Sequence, residues 1–220
     1  MKAAAEWAKL PPQSAAKVGA DMALLSSQKA WESGTQPPLL LLVRERIVRA
    51  GRVAYDRIET EIRRVCERWG CPNAYVALSG GASPNDIWWL TAWSSQEELD
   101  EAGALHAANT ALTARLAPLN ARKRALTDET TTILAKAVGQ APFAFAGTRF
   151  LMVTPVSRPA GAEGALYELP DGRRVEIETS PTRPSRLRPD SLLLAIQPRW
   201  SLPPPAIAGA DPAFWATRQR

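Results

Sequence analysis

One amphipathic helix with marked ends constrains this chain more than any other feature. Between Arg52 and Trp69, the residues Ala54, Ile58, Ile62, Val65, Cys66 and Trp69 recur at spacings of three and four, which puts them on one helix face. Arg57, Glu61, Arg64 and Arg68 take the other face. Gly70 follows the last apolar residue and suits a left-handed C-terminal cap, and Pro72 bars any continuation. The flanking runs have a different character. Leu39–Val48 is aliphatic with a β-branched end and reads as a strand, broken at Ala50-Gly51, and Asn73–Ser79 reads as a second strand. A helix with one apolar face between two strands has to lie on a sheet.

The order continues in the same style. Gly80-Gly-Ala-Ser-Pro84-Asn85 is turn chemistry, and Asp86–Trp93 is a third strand rich in aromatics, so the two strands form a hairpin. Ser95-Gln-Glu-Glu98 has the form of a capping box. Leu99, Ala102, Leu105, Ala108, Leu112, Leu116 and Leu119 then predict a long second helix that Pro118 ends or bends. A third, short helix is expected from Thr127-Asp128 to about Val138, with Gly139 as its stop, and Arg149–Val156 as the fourth strand. The resulting order, β, α, β, β, α, β, predicts an α+β domain over residues 39–156 with a ferredoxin-like βαββαβ core and an antiparallel sheet. Residues 1–38 read as a flexible or partly helical arm in which Trp7 and Trp31 hint at docking. Residues 157–220 read as a β extension with a Pro-rich tail. A hairpin turns at Pro170-Asp-Gly172, Ser191–Gln197 is a further strand, and an extended arm starts at Leu202. The sequence leaves open whether these extensions complete the sheet, swap between subunits or stay loose, and it shows no internal repeat.

Around Trp93-Ser-Ser-Gln-Glu-Glu-Leu99 the chain resembles the dimeric α+β barrel superfamily, which includes antibiotic-biosynthesis-type monooxygenases and NIPSNAP-type proteins. The resembling features are an aromatic third strand ending in Trp, a capped helix with an acidic first turn, and the preceding helix–Gly–strand order. They cover roughly residues 39–156. The resemblance implies a homodimer of paired sheets with a pocket between sheet and helices. It also implies either small-ligand binding or cofactor-independent oxidation of an aromatic substrate. Haem-degrading members use a histidine late in the second helix; the single histidine here, His106, comes earlier, so no haem and no other cofactor is expected.

Strand alternation sorts the candidate site residues. Ala74, Val76 and Leu78 are expected to face the helices, leaving Tyr75 and Ser79 on the other side. Trp89 and Trp93 share a face of the third strand and suit either a ring-binding wall or a packed core. Arg44, Glu45 and Arg46 interrupt the first strand, so at least one charge must point inward, where it needs a partner; Arg44 is the candidate anchor for an anion. The candidate ligand-binding set is therefore Arg44, Tyr75, Trp89, Trp93 and His106.

Composition narrows the function classes. The 220 residues are 45% hydrophobic, enough for a core without staples. Two cysteines do not make a disulfide scaffold, and Cys66 is expected buried and Cys71 reduced. The net charge is +5, but acids and bases alternate along the first helix; the one compact basic run is Arg183, Arg186 and Arg188, so a nucleic-acid partner is disfavoured and trails as a third reading. No apolar run approaches a membrane span, and the start lacks the pattern of a signal peptide, so a cytoplasmic protein without a membrane partner is expected. There is no P-loop, Rossmann glycine fingerprint or Gly-x-Ser-x-Gly elbow, and one histidine cannot build a His-rich metal site or a complete Ser/His/Asp triad, so no metal is expected. What remains is a homo-oligomeric binding or interaction protein, or a cofactor-free monooxygenase or isomerase acting on a small aromatic molecule.

Overall fold

The computed structural model describes residues 29–31, 34–156 and 164–216. Eight antiparallel strands close into one barrel: β1 (Leu39–Ile47), β2 (Val76–Gly80), β3 (Asp86–Trp93), β4 (Thr127–Ala137), β5 (Phe150–Val156), β6 (Ala165–Glu168), β7 (Arg174–Ser180) and β8 (Leu192–Ile196). The order around the barrel is β1-β3-β2-β8-β5-β7-β6-β4. Among the described residues the strands are accompanied by α1 (Arg52–Trp69), α2 (Gln96–Ala108), α3 (Thr110–Arg124), α4 (Pro205–Ala210) and α5 (Pro212–Trp215).

The ring consists of two runs with the same internal order. Counted by appearance within each half, β4-β1-β3-β2 and β8-β5-β7-β6 both read four-one-three-two. They join at two short seams. At one, Leu78–Gly80 of β2 pair with Leu194–Ile196 of β8; at the other, Lys136 and Ala137 of β4 pair with Glu168 and Tyr167 of β6. A single chain thus removes every sheet edge, which is the protection that barrel closure provides.

Alternation fills the interior. Leu40 and Leu42 on β1, Val76 and Leu78 on β2, Trp88, Leu90 and Ala92 on β3, Ala135 on β4, and Leu151, Tyr167, Ile177, Leu194 and Ile196 from the second half form one cluster. Trp31, Phe143, Phe145, Ile207 and Trp215 join it from outside the strands, with Trp31 edge-on to Phe145 at 4.8 Å between ring centres. At interior-side positions near one end, Arg46 Nε lies 3.1 Å from Asp86 Oδ1 and Arg46 Nη1 lies 3.3 Å from Glu129 Oε2.

The opposite face of β1, β3 and β2 carries the helices. Ile47, Tyr55, Ala77, Ile87 and Trp200 pack together there, as do Cys66, Cys71, Leu112 and Leu116, and Leu39, Trp93 and Ala102. The expected sidedness of β2 is therefore reversed. Val76 and Leu78 enter the barrel, while Tyr75 and Ala77 face the helices, because the barrel interior is the larger apolar volume and takes the larger aliphatic set. On α1 the buried residues are Tyr55, Ile58, Glu59, Arg63 and Cys66, so the inward stripe is rotated from the expected one and includes two charges.

Four further expectations are corrected. Residues 127–137 form strand β4 and not a short helix; the run Thr130-Thr-Thr-Ile133 is β-branched, and pairing with β1 decides it. Arg149–Val156 accordingly contributes the fifth strand. The long second helix breaks at Asn109, whose side chain accepts from the Leu112 amide at 3.1 Å to start α3 and donates to the Trp69 carbonyl at 3.0 Å; Pro118 lies inside α3. The tail after Leu202 forms α4 and α5 instead of an extended arm. Trp7 lies outside the described residues. Among the described residues no helix is long and apolar enough to cross a membrane.

Gly80 holds the β2–β8 seam. Its φ is +112°, and a Cβ built there would lie 2.7 Å from the Leu193 carbonyl oxygen. Gly80→Ala is expected to destabilise the protein by about 2–3 kcal/mol, read by urea unfolding, with a melting temperature lower by about 5–10 °C. A change below half a kilocalorie would show that the seam yields.

Candidate functional site

A cavity of about 430 Å³ opens between the outer face of the first-half sheet and the helices. The sheet contributes Val43 and Glu45 from β1 and Trp89 and Thr91 from β3, with Tyr75 just before β2. Glu59, Ile62 and Cys66 come from α1, His106 from α2, and Leu116, Asn120 and Lys123 from α3. Cys71 and Asn73, between α1 and β2, close one side. The volume falls in the range that holds small organic ligands.

Apolar and ring surfaces form most of the wall. Tyr75 and Trp89 meet edge to face with ring centres 5.8 Å apart. Tyr75 is positioned by backbone bonds to Leu202, 2.9 Å in each direction, so the C-terminal segment helps build the wall. The same segment buries Trp200, whose Nε1 donates to Asp56 Oδ1 at 2.6 Å beneath α1. Burial, with Glu59 adding to it, pushes the Tyr75 phenol well above its usual range, so it stays protonated.

The polar end is a charge cluster. Lys123 Nζ lies 2.9 Å from Glu45 Oε1 and 3.0 Å from Glu59 Oε1. Glu45 also accepts from Trp89 Nε1 at 2.9 Å and from the Tyr55 hydroxyl. The ammonium sits 5.1 Å from the centre of the Trp89 ring, within cation–π range. Glu59 is 2% exposed, and burial raises its carboxyl above the ordinary range, with Lys123 opposing that shift. For Lys123 burial pulls down, but Glu59 and Glu45 together outweigh it and the ammonium is held above its usual value. Burial pushes the Tyr55 phenol far up, reinforced by Glu59 and Glu45. Two carboxyl groups thus share one cation, and Glu59 is the member burial drives toward the protonated form.

Of the candidate residues, the structure brings three together: Tyr75, Trp89 and His106 all line the cavity. His106 is half-buried, and desolvation lowers its imidazole, which favours the neutral ring. Arg44 and Trp93 lie elsewhere. Arg44 sits at an interior-side position near the barrel rim, 5.9 Å over the Trp88 ring and paired with Glu129. Trp93 packs with Leu39 and Ala102 under α2 and donates to Thr91 Oγ1 at 2.8 Å. The β1 charge that faces the cavity, on the helix side of the sheet, is Glu45. Glu59, Lys123 and Asn120 were not singled out. A glutamate at position 59, inside the stripe Tyr55–Ile58–Ile62–Cys66, was the available signal; Lys123 had none, because Arg122-Lys123-Arg124 is an ordinary basic last turn.

The cysteine expectation is also corrected: Cys66 and Cys71 are joined in a disulfide, and both are buried in the cavity wall. Gly70 takes φ +78° between them, which folds Cys71 back on the end of α1. In the C-terminal region Arg188 pairs with Glu176 and, at 2.9 Å, with Glu178, so the basic run there is partly neutralised. Among the described residues no group of three or more His, Cys, Asp or Glu side chains is placed to hold a metal ion.

No protein-family model matches the chain, and no curated protein matches it. Similar solved structures include a proposed monooxygenase of Lactobacillus acidophilus NCFM, 11% identical, covering 67% of this chain and 78% of that one, with a TM-score of 0.41. A proposed monooxygenase of Fusobacterium nucleatum subsp. nucleatum is 9% identical, covering 66% and 76%, with a TM-score of 0.40. An anthrone oxidase-like protein is 11% identical, covering 84% and 81%, with a TM-score of 0.36. At these scores the likeness carries no argument about activity.

Lys123→Met removes the cation shared by Glu45 and Glu59. It is expected to destabilise the protein by about 3–5 kcal/mol at pH 8, because a buried charge loses its partner. Glu59, raised in the folded state, binds more protons folded than unfolded, so stability in the variant falls as pH rises above the unfolded carboxyl range. Urea unfolding at pH 5.5 and pH 8 checks this: the loss is smaller at pH 5.5. An equal loss at both pH values would show that the carboxyl groups do not titrate with folding.

Proposed function

We infer that this chain binds a small, flat aromatic molecule in the cavity between its sheet and helices. The observation that carries the reading is the cavity itself, about 430 Å³, with ring walls from Tyr75 and Trp89 and a buried cluster of Lys123, Glu45 and Glu59 at one end. A molecule of two or three fused rings fits that volume, stacks on the indole, and turns a hydroxyl or carbonyl toward the cluster. The fold reading that goes with it is a dimeric α+β barrel folded from one chain. Each half follows the strand order of a ferredoxin-like unit, and the first half supplies the helices and the site. A second copy is not needed to close the barrel.

A second reading is supported by His106 and Glu59. A neutral imidazole and a carboxyl displaced by burial line one cavity, as a proton-transferring site requires. Under it the protein is a cofactor-free isomerase or oxygenase. A proton leaves the bound ring system to the neutral His106 imidazole, and the resulting anion either rearranges, with the Glu59 carboxyl able to return a proton, or reacts with dioxygen.

Titration with 2-naphthol, followed by tryptophan fluorescence, tests the binding reading. Saturable quenching is expected at micromolar concentrations, and Thr91→Trp, which fills the cavity, is expected to weaken it at least tenfold in protein confirmed folded by its melting curve. Quenching that rises linearly with ligand and ignores the filling substitution retires the reading. His106→Ala separates the second reading from the first: it should leave 2-naphthol binding intact and abolish any turnover found.

A further inference from the structure

The cavity wall contains a reactive group that ring binding does not use. The Cys66–Cys71 disulfide is buried, and both cysteines line the same cavity as Trp89, Tyr75 and His106. As a staple it has little to hold. The bridge spans only five positions, and the short loop already closes on itself, since the amides of Gly70 and Cys71 both return to the Cys66 carbonyl, at 3.0 and 3.1 Å. Constraint of the unfolded chain by a cross-link is weakest for the shortest loops. The position suits contact with a ligand better than it suits bracing.

We propose that Cys66 and Cys71 form a redox-active pair that passes two electrons to a quinone-class ring lying against Trp89 and Tyr75. The proposal rests on reading the cavity as a ring-binding site. The cavity chemistry selects this partner: a flat ring matches the walls, and a ring that accepts two electrons and two protons matches what a dithiol gives up. In the reduced protein one cysteine, as thiolate, adds to a ring carbon, forming a carbon–sulfur bond. The second cysteine attacks that sulfur; the sulfur–sulfur bond forms as the carbon–sulfur pair returns to the ring. The ring leaves as a hydroquinone carrying the two protons that the thiols lost. The quinone is reduced, the pair is oxidised, and a small dithiol restores the thiols by exchange. His106, half-buried in the same wall and favoured neutral, is the available acceptor for the first thiol proton.

The test uses full-length protein reduced with dithiothreitol, desalted without oxygen, and mixed with duroquinone, whose fully substituted ring leaves no stable arylated thiol. Duroquinol is followed by absorbance, and the cysteines by alkylation mass shift after denaturation. One duroquinol per protein is expected, with both cysteines becoming resistant to alkylation. The rate should fall at least tenfold in Thr91→Trp and, as an independent filling variant, Leu116→Trp, each confirmed folded by its melting curve. The Cys66→Ser and Cys71→Ser proteins should give none. A rate indifferent to cavity filling, a yield below a tenth of an equivalent, or a native disulfide that dithiothreitol does not reduce overturns the proposal. Quenching of the oxidised protein by duroquinone separates the two readings. Saturable quenching without electron transfer defeats the redox pair and leaves ring binding standing, whereas no saturable quenching defeats ring binding as well.

Discussion

Closure of eight strands within one chain sets the terms for everything else in this molecule. A closed antiparallel barrel has no free edge, so every strand must supply one face to the interior and one to the outside. The interior takes the aliphatic set of each strand, and the other set must be covered or made polar. On β1, β2 and β3 it is covered by α1, α2 and α3, and the cavity is the space left where ring side chains and charges hold the helices off the sheet. The second half repeats the strand order, and between β7 and β8 the described residues place no helix. The cavity described above lies on the first half of a barrel whose strand order is that of two equivalent halves.

The charge cluster explains why the cavity persists rather than collapsing. An apolar gap of this size between helix and sheet would close, because packing gains favour contact. Lys123 cannot leave Glu45 and Glu59 without leaving charges buried and unpaired, and Glu45 is further fixed by Trp89 and Tyr55. The cluster ties α3 to β1 and α1 through one ammonium, and Asn109 ties the start of α3 to the end of α1. Polar bonds at fixed lengths set the spacing between layers, and Tyr75, Trp89, Ile62 and Leu116 line what remains. Burying such a cluster costs stability relative to an apolar filling, so its presence favours a role beyond packing.

Much of this was legible in the sequence where local rules and tertiary demands agreed. The ends of α1 at Gly51 and Gly70, the limits of β3, the Ser95 cap with its bond to the Glu98 amide at 3.2 Å, and the Pro170–Gly172 hairpin all follow from residue chemistry. Where they disagreed, pairing won. β4 carries a helix-like start and stop, but its β-branched centre lies beside β1. The long second helix was broken at Asn109, which caps α3 through the Leu112 amide and is held there by donating to the Trp69 carbonyl, a contact that only the fold brings about. Trp93 shares the face of Trp89 but lies beyond the cavity under α2, and Arg44 fell outside it because alternation tells which residues share a face, not which face meets the helices.

That last ambiguity bears on how the site should be understood. Once β2 and β3 are placed with Val76, Leu78, Trp88 and Leu90 inside the barrel, Ala77 and Trp89 have to face the helices, and so does Glu45 on β1 between them and α3. The charge that faces the site is then negative, and Arg44 is carried to the rim with Arg46, Asp86 and Glu129. A free arginine would have made the cavity an anion trap. A carboxylate neutralised by a lysine, beside a second carboxyl that burial drives toward its protonated form, makes a nearly neutral polar end able to donate and accept hydrogen bonds at once. Such an end matches phenolic and carbonyl oxygens on a ring better than it matches a free anion, so the choice of face by the barrel is what supports a ring as the proposed ligand.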